Sequence, residues 1–316
     1  ARLATDDANM TDCRDAGVII GVGMSSLKTG FESYNAHIGN GGRFNRLGIP
    51  MLMPNAAAAW VSIDRKAGGI CHTVNAACAS GSIAIGAAYN QIKHGNIDTV
   101  LTGGTECLDD GMGAIMRGFD VLSVLTASEN GMPLPFSKKR SGFLFNMGAG
   151  CVLVLEELAH AKSRNAPIYA EIVSYNENSD AHSIIQIDKE GTKISELFDT
   201  LKGQTIDYIN THGTATIQND EIEAEILLKT FKNNQPVINS TKGIIGHSIG
   251  ASGAIEAAVT ALSIKNGQIH GNMTEDVIDG INIPINTMKL NIKNAVSVSY
   301  GFGGHNCLLQ LAKYSG

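Results

Sequence analysis

Apolar residues along this chain fall in short continuous runs rich in β-branched side chains, separated by longer stretches in which they recur at helical spacing. The runs over residues 17–23, 70–75, 99–103, 151–155, 168–174, 206–210, 237–239 and 295–300 are apolar at successive positions rather than at every second one, as in strands covered on both faces. The intervening spacing predicts helices over 80–94, 156–164, 220–231 and 252–265, with Gly95 and Gly267 standing where helices stop. This alternation predicts an α/β fold with buried sheets. Residues 176–191 carry neither period and read as a loop. No low-complexity linker divides the chain, so its two halves are expected to share one body.

One internal match organises the rest. Residues 79–95 align without gaps on residues 251–267, at a constant offset of 172, and seven of the 17 pairs are identical, among them Ala79/Ala251, Ser80/Ser252, Gly81/Gly253 and Gly95/Gly267. Each copy predicts a tight turn leading into a helix apolar on nearly every face, and such a helix belongs inside a protein. The match reads as a duplicated half-domain. It divides the chain into an N-terminal half, residues 1–165, and a C-terminal half, residues 166–316.

Composition narrows the function classes. A chain of 316 residues, 43 % hydrophobic and 17 % charged, with 36 Gly against 7 Pro, can bury a large core and is neither disordered nor fibrous. Its net charge is −6 and its longest basic block is Lys138-Lys139-Arg140, so nucleic acid is not an expected partner. No apolar stretch approaches the roughly 20 residues that cross a bilayer, and the opening Ala1-Arg2-Leu3-Ala4-Thr5-Asp6-Asp7 lacks a signal pattern. No membrane association is expected. The six cysteines show no CxxC spacing, which points to reduced thiols, a cytoplasmic location and no metal site. Cys13, Cys107, Cys151 and Cys307 read as packing residues.

Cys78 differs, because Asn75-Ala76-Ala77-Cys78-Ala79-Ser80-Gly81 sets it between a strand and a helix start. A helix N-terminus favours a thiolate, so this thiol is expected to have a lowered pKa. Two histidines follow strand ends among small residues, where open α/β sheets place their sites: His212 in Asn210-Thr211-His212-Gly213-Thr214-Ala215-Thr216, and His247 in Gly246-His247-Ser248-Ile249-Gly250. His247 falls four residues before the second copy of Ala79-Ser80-Gly81, so pseudo-symmetry is expected to bring it near Cys78. The turn Tyr300-Gly301-Phe302-Gly303-Gly304-His305-Asn306 joins two apparent strands. With no helix after it, its backbone N–H groups suit an oxyanion better than a phosphate.

These segments together resemble the condensing enzymes of the thiolase superfamily, specifically the elongating β-ketoacyl-acyl-carrier-protein synthases. Thr241-Lys242-Gly243-Ile244-Ile245-Gly246-His247, Asn219-Asp220 and Pro135-Phe136-Ser137 through Gly142-Phe143 and Gly148-Ala149-Gly150 add to the likeness, which covers nearly the whole chain. The resemblance implies a five-layer αβαβα fold and a decarboxylative Claisen condensation in fatty-acid or type II polyketide or polyene biosynthesis. It implies Cys78 as nucleophile, His212, His247 and Lys242 as further catalytic groups, and Glu256 as the partner of Lys242. It also implies Cys78 and Phe302 as oxyanion hole, Thr214 and Thr216 against a pantetheine arm, and Phe119 and Phe302 gating an acyl pocket whose floor includes residues 24–31. No cofactor is implied, since the phosphopantetheine arm arrives on an acyl carrier protein. The further partner implied is a second ketosynthase-fold chain, in a homodimer or with a chain-length subunit. Lys138-Lys139-Arg140 is then either a solvated turn or a docking patch for the acidic carrier.

The chain also departs from the family pattern. The first strand of the N-terminal half is missing from the chain as read, and the region around 178–191 is short. Where the family carries Gly-acid-Gly this chain has Asn146-Met147-Gly148, a departure that counts against a housekeeping fatty-acid role and is compatible with a specialised polyketide or polyene pathway. Two alternatives remain: a non-decarboxylating thiolase, which needs a second cysteine just before the terminal glycine turn where this chain has Tyr300-Gly301, and a non-catalytic chain-length subunit, which would lack Cys78.

Overall fold

The continuous apolar runs become strands, in a computed structural model that describes residues 1–24, 26–39, 44–232 and 234–316. In the first half β1 (Gly17–Val22) is buried at every position and lies between β2 (Cys71–Val74) and β3 (Thr99–Cys107), parallel to both. On the far side of β3, β4 (Gly148–Glu156) runs antiparallel. The second half repeats this plan: β6 (Tyr208–Asn210) lies between β7 (Val237–Asn239) and β10 (Asn294–Gly301), parallel to both, and β11 (His305–Ala312) runs antiparallel to β10. There β5 (Glu171–Ser179) adds a fifth strand beyond β11, and β8 (Gln268–Ile269) and β9 (Met288–Lys289) form a separate ribbon.

The helices are α1 (Arg2–Asp7), α2 (Leu27–Gly39), α3 (Gly48–Leu52), α4 (Ala56–Arg65), α5 (Ser80–Lys93), α6 (Ala114–Val121), α7 (Leu158–Ser163), α8 (Thr192–Asp199), α9 (Ile217–Thr230), α10 (Lys242–Ile245) and α11 (Ser252–Asn266). The two helices of the internal match, α5 and α11, lie between the sheets, and each packs on strands of both. That is why neither can afford a polar face. Helices α1 and α4 cover the outside of the first sheet, and α8 and α9 that of the second. The result is the five-layer αβαβα arrangement that the resemblance implied.

The central helices meet at the matched glycines. A Cβ at Gly81 would lie 2.8 Å from Ala254 N and 2.9 Å from Gly250 O, and one at Gly253 would lie 2.1 Å from Ser82 Oγ. Beside this crossing Ser82 Oγ and Ser299 Oγ are 2.8 Å apart, closing a buried hydroxyl pair between α5 and β10. Hydrogen-bonded in this way, the two hydroxyls are tolerated in a dry layer.

Three differences from the sequence reading have physical causes. Strand β5 continues through Ser179 into the stretch read as loop, because Asn176 to Ser179 pair with β11 through their backbone although their side chains carry no apolar period. The helix read from residue 156 begins at Leu158, because the Glu157 carboxylate accepts from His160 N at 2.9 Å and caps it. Helices α2, α4, α6 and α8 were not legible: each buries only a few residues, too few for a readable stripe. Among the described residues no helix is long and apolar enough to cross a membrane.

The crossing yields a stability prediction. Gly81→Ala drives a methyl against backbone atoms that cannot rotate away, so it is expected to destabilise the protein by about 1–3 kcal/mol. Urea denaturation checks this, and an unchanged midpoint would contradict the close approach.

Candidate active site

The duplication reaches down to single dihedrals. Strand β2 leads through a 3₁₀ turn, Ala77–Ala79, into α5, and α10 leads through a second one, Ile249–Ala251, into α11. Ala77 and Ile249, 172 residues apart, both adopt left-handed backbone angles, φ 48° and 46°, a strained conformation that persists only where surroundings enforce it. Ser80 Oγ accepts from Ala76 N at 2.8 Å, and its counterpart Ser252 Oγ accepts from Ser248 N at 2.9 Å. The hydroxyl protons then diverge. Ser80 donates to Ala77 O at 2.7 Å, whereas Ser252 Oγ lies 2.8 Å from His247 Nδ1.

Because α5 and α11 cross at their first turns, the two 3₁₀ turns face each other, and Cys78 Sγ lies 3.1 Å from His247 Nε2. The His212 ring stands 5.8 Å from that of His247 at 86° and 5.2 Å from that of Tyr300. Cys78, His212 and His247 all line one cavity of about 950 Å³. The geometry sets both tautomers. Ile249 N donates to His247 Nδ1 at 3.3 Å, and Ser252, its oxygen already loaded by Ser248 N, turns its own proton to the same nitrogen. Lys242 Nζ lies 3.3 Å from His212 Nδ1. Each ring therefore carries its proton on Nε2.

Lys242 and Glu256 are buried to within 2 % and 1 % exposure, and they pair directly. The ammonium spends its three protons on Glu256 Oε1, His212 O at 2.7 Å and His212 Nδ1. Removing either partner would strand a buried charge. Burial, then the Lys242 charge, hold both imidazoles well below the ordinary histidine range, so they are neutral donors at neutral pH. Burial pushes the Glu256 carboxyl up to about 7.

The expected low-pKa thiol is corrected by the structure. Burial pushes the Cys78 thiol up to about 12, against the opposing pulls of the Lys242 charge and the Phe302 N–H. The N-terminus of one helix does not offset loss of water around the sulfur. The glycine turn between β10 and β11 packs directly on the nucleophile turn: a Cβ at Gly301 would lie 2.6 Å from Ala76 O and 3.3 Å from Cys78 N. This closeness brings the Phe302 N–H to the sulfur.

Thr214, Thr216, Phe119 and Phe302 all line the cavity, and the two threonine hydroxyls bond each other at 2.9 Å. The cavity's lining includes the apolar Met24, Leu27, Phe31, Ile115, Phe119 and Phe143 and the polar Asp180, Gln186, Gln218 and Asn306. Of the floor residues expected from 24–31, Ser25 lies outside the described residues. The basic block is no free patch: Lys138 pairs with Asp279 at 2.8 Å, Lys139 with Glu275 at 3.0 Å, and Arg140 donates to Ile217 O at 2.7 Å. Both lysines nevertheless remain exposed.

Two buried carboxylates escaped the sequence reading. Glu223 accepts from His212 N and Gly213 N, both at 2.9 Å, and is pushed up to about 8 by burial. Glu106 accepts from Gly23 N at 2.9 Å and Gly250 N at 3.1 Å, tying the pocket floor to the His247 turn, and burial pushes it up to about 7. A lone acid at the end of the apolar strand run was the available signal for Glu106. For Glu223 there was only its place on the face of α9 turned toward His212.

With this geometry in view, sequence comparison decides the family. Models of the β-ketoacyl synthase N-terminal and C-terminal domains match residues 1–161 and 169–275. The chain belongs to the β-ketoacyl synthase family. It is 33 % identical to the chloroplastic 3-oxoacyl-[acyl-carrier-protein] synthase I of Arabidopsis thaliana, over 99 % of this chain and 69 % of that protein. It is 35 % identical to the 3-oxoacyl-[acyl-carrier-protein] synthase 2 of Staphylococcus aureus, over 99 % of this chain and 80 % of that one. Among solved structures, a type II polyketide ketosynthase complexed with its acyl-carrier protein and bound to a hexaketide superposes with a TM-score of 0.91 at 27 % identity, covering 99 % of this chain and 82 % of that one. A β-ketoacyl synthase from Burkholderia phymatum gives 0.88 at 29 %, covering 99 % and 80 %. This β-ketoacyl synthase is an acyltransferase of the condensing type.

The raised thiol predicts its own reactivity. Alkylation of Cys78 by iodoacetamide, followed on its peptide by mass spectrometry, is expected to accelerate about tenfold per pH unit from pH 7 to 9 without levelling, as thiolate fraction requires. A plateau near pH 7 would mean that the thiolate is already formed.

Proposed function

We propose that this β-ketoacyl synthase condenses an acyl group held on Cys78 with a malonyl group held on an acyl carrier protein, in fatty-acid or type II polyketide biosynthesis. The observation that carries this reading is the 3.1 Å approach of Cys78 Sγ to His247 Nε2 across the seam, in a cavity where two neutral imidazoles present Nε2–H. In the first stage Sγ bonds the acyl carbon of a carrier thioester, the carrier's C–S bond breaks, and the thiol proton leaves on the departing sulfur. In the second stage the malonyl thioester loses CO₂. The electron pair of the broken C–C bond forms an enolate whose oxygen receives hydrogen bonds from His212 and His247. The enolate carbon attacks the acyl carbon on Cys78, the resulting oxyanion lies against the N–H groups of Cys78 and Phe302, and collapse releases Sγ with the β-ketoacyl carrier product.

Neutral donors suit this chemistry, since they stabilise charge as it develops without protonating the carbanion. Lys242 acts through His212 as a positioning residue with Glu256 as its counter-ion, while Thr214 and Thr216 meet the pantetheine arm, and Phe119 and Phe302 gate the acyl pocket. The reading assigns no further cofactor. An acyl carrier protein and a second ketosynthase-fold chain are the assigned partners, supported by the polyketide relative solved with its carrier. Six free cysteines support a reducing, cytoplasmic setting.

Cys78→Ala is expected to abolish acyl-enzyme formation with an acyl-carrier thioester. His212→Ala and His247→Ala are expected to retain the adduct and lose malonyl decarboxylation by a factor on the order of 100 or more. Intact-protein mass spectrometry and CO₂ release measure the two stages, and an adduct on the Cys78→Ala protein would refute the assignment. Chain length offers a separate test. Gly118 lines the cavity and nothing lies within 4 Å of where its Cβ would stand. Gly118→Leu is therefore expected to shorten the longest acyl chain accepted, read from the product distribution over a starter panel.

A further inference from the structure

The segment Leu144 to Asn146 runs alongside His247: His247 N donates to Leu144 O at 2.7 Å, and Asn146 N donates to His247 O at 3.3 Å. The Asn146 carboxamide then reaches around the histidine on both sides. Its Nδ2 donates to Ile245 O at 3.1 Å, two residues before His247, and to Ser248 Oγ at 2.5 Å, the residue after it. Its Oδ1 accepts from Gly148 N at 3.1 Å. Both amide protons and the carbonyl are engaged, so neither a carboxylate, which has no proton to give, nor a side chain without donors reproduces the set. Ser248 is also the residue whose N–H loads Ser252 Oγ and thereby directs the Ser252 proton to His247 Nδ1.

We propose that Asn146 is a positioning residue for His247: its carboxamide clasps the loop at Ile245 and Ser248, holding the imidazole in the tautomer and direction that present Nε2–H to the reacting centre. The role lies at a position where the resemblance led one to expect glycine, beside an exposed Met147, and it rests on the proposed function for its kinetic consequence alone. The chain of contacts runs from the Asn146 amide through Ser248 and Ser252 to Nδ1. Loosening its first link frees the loop to rotate, and a displaced hydrogen-bond donor loses transition-state stabilisation steeply with distance.

The test uses Asn146→Ala in the full chain, with Met147→Ala as the neighbouring control. Imidazole ¹⁵N spectra, assigned through the resonances lost in His247→Ala, are expected to show His247 protonated on Nε2 in the parent protein and exchanging between tautomers in Asn146→Ala. Malonyl decarboxylation is expected to fall by a factor on the order of 10–100 in kcat, with acyl transfer to Cys78 changed far less. Should Asn146→Ala fail to fold, Ser248→Ala removes the nearest acceptor and carries the same expectations. An unchanged ¹⁵N pattern in a folded variant would overturn the proposal, as would equal losses in both half-reactions. The tautomer readout needs no turnover, so a parent protein inactive with malonyl thioesters would sink the proposed function and leave this inference standing on its spectrum.

Discussion

The close crossing of α5 and α11 is the constraint on which the rest depends. Two helices that each lack a Cβ at the contact approach until backbone meets backbone, and their N-terminal turns, carrying Cys78 and the end of the His247 loop, are thereby pressed together between two sheets. The chemistry sits beside this close approach of the two halves. A side chain of any size at the crossing would push apart the sulfur and the imidazole as well as the helices. In this protein the packing of the core and the geometry of the reacting groups are the same fact.

Dryness is the second consequence. Cys78, His212, His247, Glu223 and Glu256 are all buried, and each of these five groups responds by moving toward its neutral form. A buried thiol is thereby less acidic, which costs resting nucleophilicity, but both histidines become uncharged donors with settled tautomers, which the enolate stage requires. Lys242 supplies a fixed positive field, and Glu256 keeps that charge tolerable in the interior. The arrangement favours stabilising charge that appears during reaction over holding charge beforehand.

The two halves share a scaffold and differ in what they hang on it. Ala77 and Ile249 take the same left-handed turn, and Ser80 and Ser252 accept the same backbone proton. Yet the first copy places a nucleophile where the second has Gly250, and the second places His247 where the first has Asn75. Duplication followed by divergence at single positions gives two complementary groups facing each other across a pseudo-twofold seam. Symmetry fixes their approach. Asn146, Glu106 and Glu223 are asymmetric additions that brace one side of it.

Much of this was legible in one dimension. The continuous apolar runs and the gapless match between residues 79–95 and 251–267 announced buried sheets, paired central helices and the meeting of Cys78 with His247, because local propensity, periodicity and duplication are properties of neighbouring residues. The direction of the Cys78 shift, the extension of β5 by polar residues, the pairing of Lys138 and Lys139 with Asp279 and Glu275, and the carboxylates of Glu106 and Glu223 were not legible. Each depends on which distant group lies within a few ångströms and whether water can reach it. The order of residues determined what each segment could become. Tertiary packing alone decided the dielectric around each charge and the partner of each proton, since solvation and hydrogen bonding are set by distance in space and not along the chain.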